Sequence, residues 1–288
     1  DRLVEIFDAC WPMYAAMPAV LKKSILDAYK ACGWNTKLSK PADYNNVLFP
    51  TIEDVIFSLR KFINNSESSG DTKSDYKGAI ETRLLDLTEG VTGLMLNSQR
   101  DIANEDLFDN NVIVDLHRIG NSETVSLIMG IIILKLNEYR MACCDMNENL
   151  QHVTVIEEAH NILKRTSSIQ SQESANLIGK SVEMISNSIA EMRTYGEGFI
   201  IVDQSPAQVD MSAIRNTNTK IILALPDEED RKTAGKSIGL SDEQIEEISK
   251  QKTGQAIVYQ NDWEEAVQCS LTEYKSRNPF IKVTDYEI

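Results

Sequence analysis

The sequence predicts an α/β fold, a mostly parallel sheet flanked by helices with an N-terminal helical subdomain. Two observations predict it. After residue 111, short apolar runs rich in Val and Ile alternate with helical patterns, the grammar of βαβ units. Before that point the apolar spacing is helical almost throughout. The chain has 288 residues, 42% of them hydrophobic, enough for a sizeable core.

Residues 1–108 read as helices. Ala19 to Tyr29 places Val20, Leu21, Ile25 and Leu26 on one face, and Gly33 follows as a stop. Thr51 can cap the next helix, with Glu53 and Asp54 in its first turn. Asn64 to Ser74 is polar and reads as a mobile loop. Tyr76 to Leu87 is a further helix, ending near Gly90.

From residue 109 the second domain runs to 288. Val112 to Leu116 reads as a buried strand and Ser122 to Arg140 as an amphipathic helix. Val153 to Ile156 is a strand, Ser174 to Tyr195 a long helix, and Gly198 to Gln204 another buried strand. Thr219 to Leu225 and Gln255 to Tyr259 complete the set. Right-handed crossovers would put helices on both faces of such a sheet.

The formal net charge is −15, a poor balance for general nucleic-acid binding, though a local basic surface is still possible, such as a ring lumen built from several subunits. The five cysteines are irregularly spaced and read as reduced thiols, which points to the cytoplasm. No metal knuckle is visible, and the three histidines are scattered. The longest apolar run, near Leu127 to Leu136, is too short to span a bilayer, so no membrane is expected. The chain opens at Asp1 in an already amphipathic stretch, which reads as a fragment.

The most informative stretch is Val153-Thr154-Val155-Ile156-Glu157-Glu158-Ala159-His160. Apolar β-branched residues run straight into two carboxylates, the arrangement by which α/β nucleotide enzymes hold Mg²⁺ and activate water. Glu157 would reach the metal, and Glu158 would polarise the attacking water. The alternative is that both acids open a helix and favour its dipole. Gln204, in Asp203-Gln204-Ser205-Pro206, can orient water or sense a γ-phosphate from a neighbouring strand tip; the alternative is a simple turn. Arg193 can supply charge to a γ-phosphate, or merely sit as a cation at a helix C-terminus, the simpler reading on the residues alone. Asp115 could assist a metal site, with His117 or Arg118 facing a neighbour. Trp11, Met13, Tyr14 and Met17 read as core packing, with a partner surface as the alternative.

No Gly-x-x-x-x-Gly-Lys-[Ser/Thr] phosphate loop occurs. Gly179-Lys180-Ser181 and Gly235-Lys236-Ser237 lack the earlier glycine, since Ser174 and Asp230 stand in its place.

The order of these blocks resembles the HerA-like branch of the HerA/FtsK superfamily of hexameric DNA translocases. The resemblance runs through Val112 to Leu116, Val155 to Asn161, Arg193 to Gly196, Ile201 to Pro206 and Asn216 to Ile222. Phe7 to Trp34, with its Pro-Met-Tyr-Ala-Ala-Met-Pro centre, is similar to the family's helical insertion. The resemblance implies the C-terminal part of a RecA-like ATPase core over 109–288 and a helical insertion subdomain over 1–108. It implies ATP and Mg²⁺ as cofactors, Glu157 as the metal residue, Glu158 as the catalytic glutamate and Gln204 as a sensor. It implies that Arg193 is a sensor or a finger donated across a subunit interface. It further implies a hexameric ring, DNA as substrate and a possible nuclease partner. The family's phosphate loop lies before the insertion, so this chain alone is expected to be inactive. One alternative is a non-catalytic scaffold with a degenerate nucleotide site. Another is a metal-carboxylate hydrolase using Glu157, Glu158 and Asp203, although two-metal sites usually draw on more acids.

Overall fold

A computed structural model describes residues 2–11, 13, 15–45, 47–66, 70–99, 101–165 and 172–273. They fall into two compact units, Asp1–Thr154 with Thr166–Ile200, and Val155–Arg165 with Ile201–Ile288.

The first unit is mainly helical. Helix Arg2–Cys10 is followed by Met17–Ala31, which has Pro18 in its first turn, where a missing N–H costs nothing. Helix Ile52–Asn65 opens on a capping box in which Thr51 and Asp54 satisfy each other's backbone N–H groups. Gly70–Tyr76, a π turn at Lys77–Glu81 and Thr82–Asp86 follow one another directly. The predicted loop is therefore shorter than the sequence suggested, since residues from Gly70 onward are helical; 67–69 lie outside the described residues. Short helices Gly90–Leu96 and Asn104–Phe108 lead to the long helix Ser122–Cys143, whose first turn is capped by the Asn121 side chain. The other long helix, Gln172–Met192, runs into a 3-10 turn at Arg193–Tyr195.

Apolar faces close this unit. Leu21, Leu59 and Ile63 are fully buried, as are Ile80, Leu84, Leu127 and Leu136. Burying side chains of this size is worth about 1.5–3 kcal/mol each. Trp11, Met13 and Met17 are buried too, which favours core packing for that patch; Tyr14 lies outside the described residues. Burial, then the charge of Glu123, pushes the Cys10 thiol up to about 12. All five cysteines are free.

Strands His152–Ile156 and Glu197–Ile201 lie side by side. Gln151 N and His152 N donate to Gly196 O before one end, and Val202 N donates to Ile156 O past the other, so the two run parallel. The predicted strand at Val112 to Leu116 does not form. Residues 111–116 have no regular structure, and Ile113 is 94% exposed. A strand exists only where a neighbour takes its backbone groups, and among the described residues no ladder reaches this segment.

The second unit holds a three-stranded sheet, Thr219–Ile222, Gln255–Gln260 and Val267–Ser270 in that order. Both pairings are antiparallel, Ile221 opposite Val258 and Ile257 opposite Gln268. The expectation of a mostly parallel sheet is thus only partly met. Apolar runs announce strands but not their direction. Ile222, Ala234, Ile238, Ile248 and Ile257 form a core under this sheet. Helix Glu228–Lys236 is capped by Asp227, and Asp242–Glu247 by a Ser241–Gln244 capping box. The acidic runs at these places fill the first turns of the two helices. Gly235-Lys236-Ser237 closes the first of these helices, and Gly179-Lys180-Ser181 lies within Gln172–Met192. Neither is a loop feeding a helix N-terminus. No described helix is long and apolar enough to cross a membrane.

Candidate active site

The site is built where strand His152–Ile156 ends. Ile156 is buried and anchors the strand, and Glu157 and Glu158 follow in an exposed bend. The expected helix after them is a single 3-10 turn, Ala159–Asn161. A dipole that small gives little reason for two acids, so the helix-opening reading of the pair loses its support.

Glu158 carries the backbone signature of the site. Its φ is +50° and ψ 49°, the left-handed region, where a side chain with a Cβ costs about 1–2 kcal/mol. The conformation is held from both sides. Asn161 N and Nδ2 both donate to Glu158 O, at 2.9 and 3.0 Å, and Ala159 N donates to Val202 O at 3.3 Å. The bend turns the Glu158 carboxylate toward the next strand tip, where Gln204 Nε2 donates to its Oε1 at 2.9 Å. The side chain remains 49% exposed, and its Oε2 lies 3.7 Å from His160 Nδ1.

His160 and Asp203 form the floor. The Asp203 side chain is 6% exposed; its Oδ2 accepts from His160 N (2.7 Å) and pairs with His160 Nδ1 (2.9 Å). Its Oδ1 accepts from Ser205 N at 2.8 Å, which sets the turn after the strand. Both oxygens are therefore engaged, and Asp203 shapes two loops instead of facing a metal. This removes the basis for the three-acid hydrolase. No group of three His, Cys, Asp or Glu residues capable of holding a metal occurs among the described residues.

Glu157 is exposed, and among the described residues no side-chain hydrogen bond or ion pair engages its carboxylate. A free hard-oxygen donor at a strand end suits Mg²⁺, which keeps most of its waters and takes one or two carboxylates. One such carboxylate is compatible with that ion, although the chain shows no phosphate loop for the nucleotide.

Of the predicted residues, Glu158 and Gln204 meet through a hydrogen bond, and Glu157 is the chain neighbour of Glu158. Arg193 belongs to the other unit. It opens the 3-10 turn at Arg193–Tyr195, is exposed, and is unengaged among the described residues. That turn ends at Gly196 with φ +79°, and a Cβ there would meet Asn149 O at 2.6 Å, so only glycine is accommodated. Asp115 accepts from His117 N at 2.8 Å, a local turn and not a strand-end ligand. The sequence reading missed His160 as the partner of Asp203. Its only signal was the position of His160 two residues after Glu158.

A second acidic centre lies in the first unit. Glu197, 1% exposed, accepts from Arg140 Nε (3.0 Å), His152 Nδ1 (2.8 Å) and Thr154 Oγ1 (2.7 Å). Arg140 also donates to Asp109 Oδ1 and Phe108 O. Hydrogen bonds from Tyr139, then Arg140, hold the Asp109 carboxyl below the usual range.

No family model matches the chain. Over 110 residues, 38% of its length, it is 32% identical to the DNA double-strand break repair helicase HerA of Sulfurisphaera tokodaii, of which this covers 20%. Over 213 residues, 73% of its length, it is 22% identical to the protein of the same name from Saccharolobus solfataricus, of which this covers 41%. The chain thus spans only a fifth to two fifths of these curated relatives. Its fold matches that of VirB4 of Thermoanaerobacter pseudethanolicus with a TM-score of 0.67 at 14% identity, over 96% of this chain and 70% of that one. The resemblance to HerA read from the motifs is supported by these similarities.

Proposed function

We propose that this chain is the catalytic-carboxylate part of a HerA-like, ATP-driven DNA translocase or helicase. The observation that carries the reading is Glu158, held in a left-handed bend by its own turn and hydrogen-bonded to Gln204 across the two strand tips. Bound ATP and Mg²⁺ would supply the phosphoanhydride and the charge that neutralises it. Glu157 would hold the metal. Glu158 would orient the attacking water and accept its proton at Oε2, the oxygen that Gln204 leaves open. Gln204 would fix Glu158 through Oε1 and report on the γ-phosphate. Arg193 would act as a sensor or as a finger reaching a neighbouring subunit. Residues 1–108 would form the helical insertion and 109–288 the later part of the core, within a hexameric ring in the cytoplasm that moves DNA, with or without a nuclease partner.

These residues carry no phosphate loop, so turnover is assigned to the full-length protein and none is expected of this chain alone. The same observation favours a second reading, a scaffold subunit with half a nucleotide site. The two part on Glu157→Ala in the full-length protein. Mg²⁺-dependent ATP turnover that falls about a hundredfold or more supports the motor. A native protein without turnover, whose function Glu157→Ala leaves intact, is the scaffold.

A further inference from the structure

The second unit contains a cleft of about 570 Å³ that none of the proposed catalytic residues lines. Its lining includes Arg165, Arg215, Lys220, Lys232 and Lys236, and no carboxylate. In a chain of net charge −15 such a concentration runs against the composition. Like charges gathered in one concavity repel, and a fold tolerates them most readily when an anion is to be bound there.

Among the described residues, two of the five cations have acidic partners. Arg165 lies 3.6 Å from Glu229, and Lys232 pairs with Glu228, both on exposed side chains where such pairs are weak. Lys220 Nζ donates to Thr217 O at 2.9 Å, a neutral acceptor. Burial pushes its ammonium below the ordinary lysine range, so an arriving anion would recover charge stabilisation that the fold gives up. Among the described residues no carboxylate pairs with Arg215, Lys220 or Lys236. Thr233, Ser237 and Asn261 add neutral donors to the same walls.

Four of the five cations are exposed, and only Lys220 is half-buried. Charges this exposed suit a ligand that passes over the surface better than one that is enclosed. Repeated charge on an extended chain meets that description. We propose that this cleft binds clustered phosphates, with a nucleic-acid backbone as their source. The choice of nucleic acid rests on the DNA-handling reading above; the phosphate chemistry does not.

The test is fluorescence anisotropy of the full chain with a labelled 20-base-pair duplex over a salt series, beside calorimetric titration with pyrophosphate. The combined variant Arg215→Gln, Lys220→Gln, Lys236→Gln is expected to bind duplex about tenfold or more weakly, with a log–log salt slope smaller by about 2 to 3. The charge-keeping set Arg215→Lys, Lys220→Arg, Lys236→Arg is expected to restore both. Should the triple variant fail to fold, exposed Lys236→Gln alone should lower the slope by about 0.9. Unchanged duplex binding with loss of the pyrophosphate signal keeps the phosphate site but makes its source a small ligand. Wild-type affinity and slope for both probes overturn the proposal while leaving the ATPase reading intact. A wild-type chain that ignores duplex yet binds pyrophosphate through these three residues counts against the DNA reading and supports the cleft.

Discussion

Two glutamates of this chain sit beside the same pair of neighbouring strands and do opposite things. Glu197 is buried and has both oxygens occupied by Arg140, His152 and Thr154. Glu158 is half exposed, sits on a left-handed backbone, and has one oxygen held by Gln204 while the other lies 3.7 Å from His160 Nδ1, beyond hydrogen-bond distance. A buried carboxylate with three donors on its two oxygens has little capacity left for a ligand or a proton in transit. One held at a single oxygen is oriented and still available. Saturation marks the structural acid, and partial satisfaction with backbone strain marks the candidate catalytic one.

The largest way to break the contrast lies on the structural side. Arg140→Ala leaves Glu197 buried beside only two remaining donors, and loss of one partner of a buried pair costs about 3–5 kcal/mol. Chemical denaturation should show that loss; a change under about 1 kcal/mol would mean Glu197 is solvated after all.

His160 sharpens the other side. It holds Asp203 and so positions both strand-end loops. His160→Ala in the full-length protein should lower ATP turnover about ten- to hundredfold with little change in KM. His160→Asn, which keeps a donor near the Nδ1 position, should recover most of it. Equal turnover in all three proteins would make His160 incidental.

The smallest effect concerns strain itself. Glu158→Gly should be about 1 kcal/mol more stable than Glu158→Ala, because only glycine enters the left-handed region freely. Equal stabilities would show that the bend relaxes once the carboxylate is gone.

Much of this was legible in the sequence, for local reasons. The Thr51 cap and the Ser122 helix depend on neighbours within four residues. The adjacency of Glu157 and Glu158 to a strand end is local too. What failed was non-local. Val112 to Leu116 has strand composition but no partner, and composition does not supply one. The antiparallel order of the last three strands depends on which edges meet. The pairing of His160 with Asp203 spans 43 residues. The basic cleft gathers cations from residues 165 to 236, and no window of the sequence contains it.

The most direct measurement is ATP turnover of the full-length protein carrying Glu158→Gln, with ATP binding and thermal stability recorded on the same sample. Turnover should fall about a hundredfold or more while ATP binding and stability stay at the wild-type level, because Gln can still meet Gln204 but cannot take a proton. Wild-type turnover, or a loss that tracks a lower melting temperature, would contradict the assignment of Glu158 as the catalytic base.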